Sequence, residues 1–95
     1  QGRMRCVLRI DVDVFAQIFD DPGTSRGRLQ GRAQLLDSTR TLLMIYEFRI
    51  DKHASSADSR GGVAALAEAV DQLARELAVW EKSAWSAGKG ADCSS

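Results

Sequence analysis

The chain reads as an α+β domain, a three-stranded antiparallel meander followed by one long C-terminal helix packed on one face of the sheet. Three observations predict this. Three stretches alternate apolar and polar residues with a period of two, as half-buried strands do. Short polar connections separate them. The last third of the chain then switches to apolar steps of three and four, the period of an α-helix.

The first strand is expected over residues 5–15. Cys6, Leu8, Ile10, Val12 and Val14 fall on one side, and Val7, Arg9, Asp11, Asp13 and Phe15 on the other. Residues 16–25 read as a loop or irregular strand end around the turn Asp20-Asp21-Pro22-Gly23. Phe15, Ile18 and Phe19 in that connection are expected to cover the end of the core; a contact surface is the other reading. The second strand is expected over residues 26–36, with Leu29, Gly31, Ala33 and Leu35 on one face and Arg28, Gln30, Arg32 and Gln34 on the other. Gly31 and Ala33 are small enough for a helix to approach closely. A short connection, Asp37-Ser38-Thr39-Arg40, leads into the third strand over residues 41–51. There Leu42, Met44, Tyr46, Phe48 and Ile50 share one side, opposite Leu43, Ile45, Glu47, Arg49 and Asp51.

Residues 52–60 form a polar return loop holding His53. Ser56, Asp58 and Ser59 are each suitable helix N-caps, because a short side-chain oxygen can accept from the free N–H groups of the first turn. The helix is expected from residue 62 to about residue 87, with Gly88 as its stop. Its apolar stripe is Val63, Leu66, Val70, Leu73, Leu77, Trp80 and Ala84; Trp85 sits near the margin. The domain is thus expected over 5–87, with a tag or linker remnant at 1–4 and a disordered tail at 88–95.

One helix protects one face of three strands. Val7, Phe15, Leu36, Leu43 and Ile45 remain on the other face, and an edge strand is left open. These five residues are the candidate interaction surface. Self-association, or a missing half of a larger domain, would supply the cover.

Thirteen basic residues balance thirteen acidic ones, which argues against a general nucleic-acid binder. No apolar run approaches the ~20 residues of a membrane span. No catalytic, cofactor or metal site is expected. His53 is the only histidine and has no nucleophile motif around it. Neither a nucleophile elbow nor a phosphate-cradling loop is present, and Gly61-Gly62 before the helix is a weak anion signal. Asp11 and Asp13 are expected to form cross-strand ion pairs with Arg28 and Arg32. The two cysteines read as a buried thiol at Cys6 and a loose thiol at Cys93; a disulfide would need the tail to fold back within about 7 Å.

The succession VLRIDVDVF, a loop near Pro22, GRLQGRAQLLD, LLMIYEFRI and GGVAALAEAVDQLARELAVW resembles the C-terminal half of the ABC-type transport auxiliary lipoproteins, the family of paraquat-inducible protein C. The resemblance spans residues 7–80 and rests on the order and spacing of its parts. It implies a non-enzymatic component of an envelope transport system on the periplasmic side of a Gram-negative bacterium, linked to lipid movement. The implied partners are the mammalian-cell-entry-type substrate-binding subunit and further copies of the chain. The implied membrane attachment is through a lipidated cysteine outside this sequence, since Cys6 sits inside a strand. The alternative is a small homodimeric α+β protein that binds a ligand or performs catalysis in a dimer cleft.

Overall fold

The computed structural model describes residues 6–86, with side chains to residue 83. The stretches 1–4 and 88–95, expected to be a remnant and a disordered tail, lie outside the described residues, as do Cys93 and the side chains of Ala84 and Trp85. The elements are β1 (Val7–Asp21), β2 (Thr24–Leu36), β3 (Leu42–His53) and α1 (Ser59–Ser86). The three strands form one antiparallel sheet in the order β1-β2-β3, and α1 lies on one face. The expected α+β meander with a covering helix is the fold.

β1 is longer than the sequence pattern predicts. It continues to Asp21, so the first connection shrinks to Pro22-Gly23. The Asp21 carboxylate accepts from the Gly23 N–H at 2.8 Å and closes the turn. A bulge at Asp13 lets the strand run on: Val12 faces Gly31 and Val14 faces Gln30, with Asp13 as the extra residue. The bulge exchanges the faces of everything after it. Phe15 pairs with Leu29 on the helix side, and Val14 pairs with Gln30 on the far side, the reverse of the expected assignment. Gly31 makes this possible, because a Cβ there would run into the Asp11 carbonyl. Its lack of a side chain therefore serves the bulge in β1 rather than the approach of α1. The close helix contact is at Gly27, where a Cβ would lie 3.0 Å from the Leu66 backbone nitrogen.

β3 also has an irregularity, between the pairs Leu35–Met44 and Leu36–Leu42. Leu43 is the extra residue, and Leu42 leaves the face of Met44, Tyr46, Phe48 and Ile50 to pair with Leu36. The β2–β3 connection is tied by Asp37, whose carboxylate accepts from the Thr39 N–H, the Thr39 hydroxyl and the Thr41 N–H. Arg40 takes the left-handed conformation there, with φ 68°. His53 ends β3 opposite Arg26 and is not a loop residue.

Of the three candidate caps, Asp58 is the one that works. Its carboxylate accepts from the Gly61 N–H at 2.9 Å, and its own carbonyl accepts from Gly62. The Gly61-Gly62 amides are therefore used within the fold. The core joins Leu29, Ala33, Phe48 and Ile50 to Ala69, Leu73, Leu77 and Trp80. The central line of α1 is Gly62, Ala65, Ala69 and Leu73, with Val63 and Val70 rolled out to 67% and 47% exposure. This corrects the expected stripe. Small residues on the central line let the helix axis come down onto the sheet, and branched residues there would hold it away.

Candidate interaction surface

α1 crosses the sheet diagonally. Its first turns sit over β1 and β2, where Gln17 donates to the Asp58 carbonyl at 2.9 Å and to the Ser25 hydroxyl at 3.0 Å, and where Leu66 covers Gly27. Further along it reaches β3, where the Tyr46 hydroxyl donates to Glu76 at 2.7 Å and the Tyr46 and Trp80 rings lie 5.9 Å apart. A helix is about 10 Å across and strands are spaced ~4.8 Å apart, so one helix shields about two strands at a time. The N-terminal half of β1 is left bare.

That half is strongly apolar. Leu8, Ile10, Val12 and Phe15 face the helix side of the sheet, opposite Leu35, Ala33, Gly31 and Leu29, yet they are 39% to 55% exposed. At ~100° per residue, Val63 and Val70 lie on the flank of α1 turned away from Gln72 and Val79, which stand on the β3 side. They therefore lie on the β1 flank of the helix, toward the Gln17 end of the strand where α1 begins. No strand lies along the outer edge of β1 among the described residues. Phe15 and Phe19 do not cap the core, being more than half exposed.

The five residues expected to form the contact surface are divided between the two faces. Val7 and Leu36 are cross-strand partners on the face away from the helix, and Ile45 joins them there beside Gln34. Leu43 sits half-buried in the β3 irregularity near them. Phe15 is on the opposite face, carried over by the bulge at Asp13. Leu8, Ile10 and Val12 were assigned to the buried side and so were missed. The signal available for them was the width of three strands against the width of one helix.

The rest of the far face is charged. Arg32 binds Asp13 at 2.9 Å, as expected, whereas Arg28 binds Asp51 of β3 at 2.7 Å instead of a β1 aspartate. Arg28 holds the Asp51 carboxyl below its ordinary pKa. Arg9 and Asp11 pair along β1 at 3.2 Å, and Arg26 pairs with Asp20 at 3.1 Å. Such exposed pairs contribute little to stability.

A groove of about 450 Å³ lies between α1 and β3, lined by Tyr46, Gln72, Arg75, Glu76, Val79 and Trp80, with Ser83 at its end. Gln72 donates to the second oxygen of Glu76 at 2.7 Å. The bonds from Gln72 and Tyr46 lower the Glu76 pKa, and the carboxylate in turn raises that of Tyr46. With both oxygens engaged, Glu76 acts as a tie between helix and sheet. Among the described residues no group of three or more His, Cys, Asp or Glu could hold a metal ion. Among the described residues no helix is long and apolar enough to cross a membrane, a statement that does not extend to membrane β-barrels. Cys6 is half-buried and disulfide-bonded, so it is not the free thiol expected.

Comparison with known protein families, curated proteins and solved structures finds no match for this chain.

Proposed function

We propose that this chain is a non-enzymatic docking and oligomerisation module that works through the bare half of β1. The observation that carries the reading is the row Leu8, Ile10, Val12 and Phe15, apolar and exposed on a strand with no neighbour along its outer edge among the described residues. Contiguous apolar surface of this kind on a small domain marks an interaction site. The open edge adds unpaired backbone groups that another strand can satisfy.

In the wider reading, the module belongs to an envelope ABC transport system of the mammalian-cell-entry type linked to lipid transport. It docks the substrate-binding subunit of that system on the periplasmic side. This part rests on the sequence resemblance. The disulfide at Cys6 is compatible with it, because disulfides persist in oxidising compartments such as the periplasm. The direct test is calorimetric titration of the purified chain with the purified substrate-binding subunit of such a system from the same genome. Saturable binding that Ile10→Arg abolishes in a folded variant supports the docking reading; an absence of binding heat and of any complex on gel filtration rejects that partner. Sequencing upstream of the gene tests the anchor: without a signal peptide and lipidation cysteine the lipoprotein reading fails.

A further inference from the structure

We infer that the bare edge of β1 pairs with the same edge of a second copy, antiparallel about a twofold axis through Ile10. This rests on the association reading above and names its partner as the chain itself. Direct partners in an antiparallel pair lie on the same face of a sheet. Successive residues of β1 alternate faces, so only registers differing by steps of two keep Leu8, Ile10 and Val12 together on the helix side.

The charges choose among those registers. With the axis at Arg9, that arginine meets its own copy. With the axis at Asp11, two aspartates meet, and Arg9 falls opposite Asp13, which is the bulged residue and is already bound to Arg32. With the axis at Ile10, Arg9, already 3.2 Å from Asp11 of its own chain, also stands opposite Asp11 of the other copy, so that the two arginines and two aspartates alternate around the axis. Both groups stand on the charged far face, the Arg9 side chain 61% exposed. In the same register Leu8 meets Val12 of the second copy and Ile10 meets Ile10, so the helix-side strip becomes a continuous apolar row. The bulge at Asp13 then turns the strand away and ends the pairing. The product is a six-stranded sheet carrying both helices on one face. β3 has a similar alternation in Glu47 and Arg49, but its helix-side residues Phe48 and Ile50 are already buried. Pairing there would cover little further apolar surface.

Charge exchange tests this on the full chain. Analytical ultracentrifugation should find the wild-type chain dimeric. Arg9→Asp and Asp11→Arg should each be monomeric with an unchanged circular dichroism spectrum, since both positions are exposed or half-buried on an edge. Mixing the two should restore a one-to-one dimer, a rescue that damage to the fold cannot produce. A wild-type monomer at the highest soluble concentration overturns the inference, as does an Arg9→Asp variant that stays dimeric or a mixture that stays monomeric. A monomer that still binds the transporter subunit overturns only the twofold pairing and leaves the docking reading standing. A dimer unaffected by these charges leaves association standing but moves it to another surface, such as the edge of β3.

Discussion

The Tyr46 hydroxyl donates a 2.7 Å hydrogen bond to Glu76 and so ties β3 to the second half of α1. The bond is half-buried, and its acceptor is also held by Gln72. Tyr46→Phe should therefore cost about 1.5 kcal/mol, the lower end of the range for a bond to a charged group. Denaturant unfolding at neutral pH checks the value.

The same pair sets a pH window. Glu76, Asp51, Asp37 and Asp58 all have lowered pKa values, held respectively by Gln72, by Arg28, by the Thr39 hydroxyl and by the Gly61 N–H. A carboxylate whose pKa is depressed on folding contributes stability above its unfolded value and loses it as pH falls. Stability should thus decline below about pH 4. The Tyr46 pKa is raised, so its contribution is complete below about pH 10 and fades above it. Tyr46→Phe should flatten the alkaline limb and leave most of the acid limb. An unchanged alkaline limb in that variant would detach Tyr46 from the pH response.

Gly31 and Gly27 should respond differently to alanine. At Gly31 a methyl group meets the backbone of Asp11, which cannot move without undoing the bulge. At Gly27 it meets Leu66 at 3.0–3.1 Å, where α1 can shift by a few tenths of an ångström. Overpacking of this kind costs about 1–3 kcal/mol, with Gly31→Ala at the upper end and Gly27→Ala at the lower. Thermal melts of the two variants compare them directly, and an equal or reversed ranking would contradict the bulge geometry.

The roll of α1 predicts a second contrast. Leu73 is in the core, and Leu73→Ala should cost about 2–5 kcal/mol, enough to threaten so small a domain. Val63 is exposed, and Val63→Ser should change monomer stability by no more than about 0.5 kcal/mol. Both were expected on one buried stripe, so a large loss at Val63 would restore that stripe.

Arg40 holds a left-handed conformation that a side chain disfavours. Arg40→Gly should be neutral or stabilising by up to about 1 kcal/mol, and Arg40→Val destabilising. Urea titrations of the pair read the difference.

Much of the fold was legible because alternation and helical spacing are strong local signals. Residues such as Ala33, Phe48 and Leu73 fall where those periods put them. What was illegible depended on contacts between segments. Nothing local to Asp13 marks it as the bulged residue; the clue is Gly31, eighteen positions later and on another strand. Ala65 and Ala69 look too small to anchor a helix until the sheet beneath requires close approach. The bare strip of β1 follows from where α1 crosses, which is fixed at one end by Gln17 and at the other by Tyr46. Pairing Arg32 with Asp13 was readable from charge alone, whereas Arg28 stands opposite Ala16 on β1 and Asp51 on β3 and so takes Asp51, a register the charges did not reveal.

The single extra residue at Asp13 makes β1 a strand of two parities. Closing the bulge with Asp13 retained as a regular ladder residue would carry Phe15, Gln17 and Phe19 through the sheet to the side of the arginines. Gln17 would lose Ser25 and Asp58, and the start of α1 would lose its tether. An insertion or deletion of two residues before the bulge would leave every later side chain on its present side. Deleting Asp13 itself keeps Val12 opposite Gly31 and Val14 opposite Gln30 and should be tolerated, whereas a single-residue insertion or deletion elsewhere in the paired strand shifts every later side chain to the wrong face and should fail.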